Sequence, residues 1–499
     1  MRKIGRIGAL ILALVLITGM AAAESAGAPD YILEGVDGED TGRSWESNMF
    51  FERMREKTGI RFVFRQADGY TAWERRVEQL AKKENLPDVL FKASLTAGEV
   101  RDWYEAGILI DLAPYLEQYA PDLWALLEAH PDWKKAITLE NGAIAALPNL
   151  NTIQNNDLMW INQEWLKRVN MDMPTTAEEL TEVLRAFKAK DPNRNGRADE
   201  VPLTFIGMWE LRFLGHAFGI VDNDDYVRVK DGTVTSALTS TENRAFLTWL
   251  HQLWEEELLD RKGFFNTDNL RQITDEKATI PYGMMLGPTP LSVVPTSAMD
   301  QYTALEPLMY SGERIYRSLL GDVIRGTFAI TRECKEPERL LTWVNTLYTE
   351  EGSRLAQCGQ EGEDYVWNED GWWEWNEDMS TVANVILPTH TISEGGVFPG
   401  ITSAEFQLKY AETAARSSIE QIVKIGQYAV YPYPYVTLSR EDEARANAIR
   451  AELSPWAEEA MACFVTGDTE LNDVNWEAFR QTAEEKGLNE LISLLAKYI

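Results

Sequence analysis

The sequence predicts an α/β protein of two lobes, each with a parallel-rich sheet flanked by helices, ending in a helical C-terminal extension. Three observations predict it. The 499 residues are too many for one core and suit two or three domains. Strand and helix patterns alternate from residue 31, and two β-α-β crossings within about 60 residues imply a parallel sheet with helices on both faces. After a long intervening stretch, Ile324 to Ile330 again reads as a strand, the chain returning to its first lobe.

The elements follow in order. Tyr31-Ile32-Leu33 reads as a strand. Ser47 to Thr58 is a helix with Met49, Phe50 and Met54 on one face, closed by Gly59. A strand over Ile60 to Phe64, a helix over Tyr70 to Glu84 and a strand over Asp88 to Phe91 complete the two crossings. Gly142 to Pro148 reads as a strand leading to a break. The polar run 149–156 suits a hinge, and a new strand starts at Leu158 to Asn162. Helix Ala177 to Lys190 opens with a capping box, Thr176 with Glu179. A helix over Pro337 to Tyr348 follows the returning strand, and helices over Arg440 to Phe464 and Trp476 to Lys497 end the chain. The expected division is 1–23 as a leader, 24–150 with 324–385 as the N-terminal lobe, and 151–323 with 386–499 as the C-terminal lobe.

Composition narrows function. Asp and Glu number 79 against 48 Lys and Arg, a formal net charge of -31. A field of that sign repels phosphate backbones and anionic lipid, so no nucleic-acid partner is expected. Arg2, Lys3 and Arg6 precede an apolar run from Ala9 to Ile17, and Ala21-Ala22-Ala23 precede Glu24. This is the pattern of a cleaved signal peptide, so the mature protein is expected outside the cytoplasm, secreted or associated with the cell surface. Ile17-Thr18-Gly19 is what precedes a lipid-modified Cys, but Met20 follows, so no lipid anchor is expected there. Three cysteines, Cys334, Cys358 and Cys463, form no C-x-x-C pair. At least one thiol is free, and Cys334 and Cys358 are a candidate pair.

The sharpest motif is Asp191-Pro-Asn193-Arg-Asn195-Gly196-Arg197-Ala-Asp199-Glu200. Oxygen side chains at alternate places of a tight loop point inward, and hard Ca2+ takes six to eight oxygens. Gly196 permits the sharp turn, Arg197 offers its carbonyl, and Glu200 stands in for the bidentate Glu that would fall where Pro202 is. The candidate ligands are Asp191, Asn193, Asn195, Arg197, Asp199 and Glu200, with a structural rather than catalytic ion. Without metal, the same loop reads as an Asn-rich turn.

Sugars present apolar C–H faces to aromatic planes and hydroxyls to polar groups. The candidate ligand contacts are Trp45 in the loop after the first strand, Asn149 at the hinge, and Trp209 and Arg212 after the strand Val201 to Ile206. To these are added Tyr282 in a Gly-rich turn, Arg325 at the returning strand, and Trp372 and Trp373 in an aromatic cluster. Strand C-terminal ends are where open α/β sheets bind ligands. Arg212 and Arg325 suit an acidic sugar or a structural ion pair equally. No carboxylate pair stands out for glycoside cleavage, and no nucleophile, zinc or nucleotide motif occurs, so an enzyme is not expected.

Several segments resemble the extracellular solute-binding proteins of carbohydrate ABC importers, the group that includes alginate- and other oligosaccharide-binding proteins. They are Asn85-Leu-Pro-Asp-Val89, GILIDLAPYL from Gly107, Gly142 to Pro148, WINQEWL from Trp160, Pro174 to Pro202, TFAITRECKEPERLLTWVNTLYTEE from Thr327, Glu361 to Gly371 and the tail around Phe464 to Asp468. The resemblance implies the periplasmic-binding-protein fold, two lobes joined by crossing strands with the ligand between them, and a calcium on the loop described. It implies an oligosaccharide ligand, ABC permease subunits as partners, hinge closure as mechanism, and a monomer. The competing readings are a secreted polysaccharide-acting enzyme and a binding protein serving a sensor.

Overall fold

The computed structural model describes residues 31–39, 42–151, 157–318, 323–369, 373–402 and 416–499. The expected leader, Met20, Trp372 and the hinge residues 152–156 lie outside them.

The first lobe is built on six strands in the order Gly400–Thr402, Leu147–Asn151, Val323–Ile330, Val89–Phe91, Tyr31–Val36, Phe62–Ala67. Tyr31–Val36 has a parallel partner on each side, as the two early crossings require. Val323–Ile330 runs antiparallel to both of its neighbours. The helix Met49–Thr58 starts where the Asn48 side chain accepts the Phe50 N–H, and ends at Gly59, whose φ of 69° is left-handed. Its Phe50, Phe51 and Met54 enter one core with Trp45, Phe91 and Trp343, while Leu80, Val100 and Trp103 cover the opposite face of the sheet.

The second lobe has four strands, Tyr302–Ala304, Leu158–Asn162, Tyr282–Gly287 and Val201–Thr204, the last two parallel. Its core draws in Leu180 and Leu184 of the helix Ala177–Ala189 and much of the C-terminal third, from Ile422 to Leu495. The chain passes between lobes after Asn151, after Ser318 and after Thr402, so two α/β lobes share three passages. Among the described residues no helix is long and apolar enough to cross a membrane.

Five expectations shift. The second lobe boundary does not fall at 385/386. Ile392 and Phe398 pack in the first core and Gly400–Thr402 pairs with the first sheet, because this run covers the edge strand Leu147–Asn151. The strand expected from Gly142 begins at Leu147, and Ala143, Ile144, Ala145 and Ala146 are buried without pairing as a strand. The last helix is two, Asp473–Glu485 and Leu488–Leu495, divided at Gly487 with φ 95°. The capping box is displaced by one residue: Thr176 accepts the Glu179 N–H, but the Glu179 carboxylate accepts from Thr175. All three cysteines are free thiols, so Cys334 and Cys358 are not paired.

The second core encloses an ion pair. Arg271 donates to both oxygens of Glu210 at 2.8 and 3.0 Å, and both side chains are about 2% exposed or less. Burial pushes the Glu210 carboxyl up to about 7, against the pull of Arg271. A carboxyl raised in the folded state contributes most stability at low pH and loses it as pH rises from the unfolded value through about 7. Arg271→Met should therefore lower stability by about 3–5 kcal/mol near pH 8, where a bare buried carboxylate remains. The loss should be much smaller near pH 5. Thermal denaturation at the two pH values checks it, and equal losses would contradict it.

Candidate functional site

Two places carry the candidate chemistry: the loop after Ala177–Ala189 and the space between the lobes.

The loop turns at three left-handed residues, Asp191, Arg194 and Gly196, with φ of 43°, 60° and 73°. Asp191 accepts the N–H groups of Asn195 and Gly196, each at 3.1 Å. Asn195 Oδ1 accepts the Arg197 N–H at 2.8 Å, and the amides of Asn193 and Asn195 donate to Asp199 at 3.0 and 2.8 Å. Glu200 Oε1 is buried and has no hydrogen-bond partner. Burial raises the Glu200 pKa, and Asp191 and Asp199 raise it further, so three carboxylates repel one another around this loop. Among the described residues no three His, Cys, Asp or Glu side chains converge as a metal-ligand group by themselves. The loop's own set mixes three carboxylates with two amide oxygens and a carbonyl. It is an all-oxygen set of the kind hard cations take, and the orphaned Glu200 oxygen fits it.

Between the lobes lies a cavity of about 900 Å³. Thr96, Lys135 and Arg325 line it from the first lobe, and Asn223, Asp225 and Arg450 from the second. Tyr431, Tyr433 and Tyr435 line it from a segment between them. Tyr435 accepts the Val323 N–H at 3.0 Å and Tyr433 donates to the Leu495 carbonyl at 2.8 Å, which fixes both rings. Burial pushes the Tyr433 hydroxyl up to about 12, so it stays a neutral donor. Arg450 clasps Asp225 at 2.7 and 2.6 Å. Arg325 donates to the Val436 carbonyl at 3.1 Å and stands 5.7 Å from the Tyr435 ring centroid.

The predicted contacts are dispersed. Arg325 lines the cavity. Trp209, 45% exposed, follows the end of Val201–Thr204, on the edge where the chain enters the second lobe. Arg212 is buried, paired with Asp222 and Glu458 at 3.3 Å and stacked on Tyr226, so it is structural. Trp45 is 1% exposed, edge-on to Phe64 and Phe91 in the first core. Asn149 is buried and donates to the Phe398 carbonyl, stitching the outermost strand to its neighbour. Tyr282 starts its strand opposite Val201, at the end of the sheet away from Trp209, and its hydroxyl donates to the Arg271 carbonyl. Trp373 is buried in a small cluster with Tyr365 and Trp375. The three cavity tyrosines were not expected. Their signal is Tyr431-Pro-Tyr-Pro-Tyr435, in which each proline holds its predecessor extended and sets aromatic rings along a rigid segment.

No family model matches the chain. FusA, a fructooligosaccharide ABC transporter substrate-binding protein of Streptococcus pneumoniae, is 24% identical over 539 residues, spanning 98% of this chain and 96% of its own. Its structure with kestose superposes with a TM-score of 0.74 at 22% identity, covering 94% of this chain and 98% of that one. An HMO-binding, ABC-transporter-associated solute-binding protein from Bifidobacterium longum infantis gives a TM-score of 0.78 at 21% identity, covering 94% and 98%. The alginate-binding protein AlgQ2 gives 0.69 at 18% identity, covering 94% and 98%. In sequence over nearly its whole length, the chain resembles the solute-binding proteins of carbohydrate ABC importers, and it has their two-lobed fold.

Proposed function

We propose that the protein captures an oligosaccharide outside the cell and delivers it, by closure of its two lobes, to the transmembrane subunits of an ABC importer. The observation that carries this reading is a space of about 900 Å³ whose walls come from both lobes and from three tyrosines, two of them fixed by hydrogen bonds. That volume lies in the range of small-ligand sites, about 300–1,000 Å³. A ligand that touches both lobes binds the closed form better than the open one, and shifts the population by that difference. FusA, named for fructooligosaccharide, and AlgQ2, named for alginate, support a carbohydrate substrate. The leader read in the sequence supports export.

Thermal shift of the mature protein against kestose, an HMO tetrasaccharide, oligoalginate and oligogalacturonate tests this, with each glycan followed for cleavage by chromatography. A glycan that stays intact and raises the Tm by several degrees is the expected result. A saturating ligand at about one hundred times its Kd adds about 2.7 kcal/mol. Cleavage would favour a polysaccharide-acting enzyme, and no shift with any glycan would remove the substrate class.

The loop Asp191–Glu200 would hold a structural Ca2+ through Asp191, Asn193, Asn195, the Arg197 carbonyl, Asp199 and Glu200. The ion would relieve the repulsion among the three carboxylates and occupy the orphaned Glu200 oxygen. FusA has been solved as an EF-hand mutant and AlgQ2 without calcium ion, which supports a metal on this loop. EDTA should lower the Tm and Ca2+ restore it, and Glu200→Gln should blunt the response. A melting temperature indifferent to both would rule the ion out.

A further inference from the structure

Beyond the three passages, the chain visits the first lobe once more near its C-terminus. The Pro432 carbonyl accepts the Val229 N–H at 2.7 Å and Tyr433 donates to the Leu495 carbonyl, so the segment sets out from the second lobe. It then runs along the first. Tyr435 accepts the Val323 N–H, and the carbonyls of Val436 and Leu438 accept from Arg325 and Arg101. At Ser439 it returns: the Ser439 N–H donates to the Tyr498 hydroxyl at 2.8 Å, and the helix Arg440–Thr466 enters the second core.

Side chains close this return in both directions. Arg101 of the first-lobe helix Ala97–Glu105 meets Glu443 at 3.0 Å. Arg440 of the long helix meets Asp102 at 3.0 Å and Glu105 at 3.3 Å. Each lobe thus gives one cation and receives one. Gly98 lies buried in the first turn of Ala97–Glu105, and a Cβ on it would collide with the Glu443 carboxylate. Glycine disfavours a helix, and here it leaves room for the partner lobe's carboxylate. Both lobes carry more Asp and Glu than Lys and Arg, so they repel each other. We propose that Arg101–Glu443 and Arg440–Asp102 form an electrostatic latch that holds the two acidic lobes in the arrangement of this structure and breaks before they swing apart. The latch rests on the lobe movement proposed above, and not on which ligand drives it.

Small-angle scattering and amide exchange on the whole mature chain, without ligand, test this. At about 20 mM NaCl, Arg440→Gln with Glu443→Ala should give a larger radius of gyration than wild type, and the amides of Asp442 to Ala446 should exchange about fivefold faster or more. The difference in radius should close at about 0.5 M NaCl, where the screening length falls from about 20 Å to about 4 Å and latch and repulsion both fade. Gly98→Ala should expand the otherwise wild-type chain, because its methyl displaces Glu443. In the Glu443→Ala background it should leave the radius unchanged and raise the Tm, because alanine favours the helix once the carboxylate is gone. Wild-type radii in the low-salt variants, or the same Gly98→Ala effect in both backgrounds, would overturn the latch even where a glycan still binds. Expanded variants of a chain that binds no glycan would leave the latch standing and remove only the oligosaccharide reading.

Discussion

Parallel pairing around Tyr31–Val36 is the constraint from which the rest follows. A strand with parallel partners on both sides forces each connection to cross behind the sheet. The strand ends therefore gather at one edge. Leu147–Asn151 and Gly400–Thr402 run toward that edge and Val323–Ile330 runs away from it, so every passage between lobes starts or finishes there. The second sheet repeats the arrangement, with Val201–Thr204 and Tyr282–Gly287 ending beside the entry strand Leu158–Asn162. Two sheets joined edge to edge leave a space whose walls cannot come from one lobe alone.

Charge is managed in the same economy. A chain with a formal net charge of -31 has carboxylates to spare and few cations. Its buried arginines are consequently clasped: Arg53 by Asp364, Arg271 by Glu210, Arg212 by Asp222. Lys92, fully inside the first lobe, is held by Asp37 and by two carbonyls of the run 392–394, and burial still lowers its pKa. Such pairs add little net stability over apolar packing, but losing one partner strands the other in low dielectric. They fix geometry more than they add stability, and here they fix the strand-end loops of both lobes.

Much of this was legible in local sequence, because the deciding physics is local. Gly59 ends its helix, Thr176 caps its own, and Asp191 to Glu200 turns as its spacing requires. The two lobes also followed from the alternation of elements. The ligand contacts did not, for a stated reason. Trp45 and Trp209 are the same residue type after a strand end, and what separates them is distant packing. Trp45 is enclosed by Phe51, Phe64 and Phe91, whereas nothing covers the Trp209 indole to the same degree. Asn149 and Trp373 were likewise claimed by partners far along the chain. The boundary at 385 failed because the run to Thr402 completes a sheet edge that only the three-dimensional register reveals.

The long helix Arg440–Thr466 adds a connection that the three passages do not. Its body packs in the second core through Ile449, Leu453, Met461 and Phe464. Its first turns are bound to the first lobe instead. Glu443 sits against Gly98, where any side chain would collide with its carboxylate, and pairs with Arg101 at 3.0 Å. Arg440 reaches Asp102 at 3.0 Å and Glu105 at 3.3 Å. Surface pairs of this kind contribute at most about 1 kcal/mol singly, yet several on one seam act together. Relative motion of the lobes must slide this seam or carry the head of the helix with the first lobe. Pro455, which withholds one helical hydrogen bond, lies beyond Ala446, Ile449 and Leu453, which already pack in the second core, so a bend there does not free the head of the helix and relative motion falls on the seam at Arg440 and Glu443.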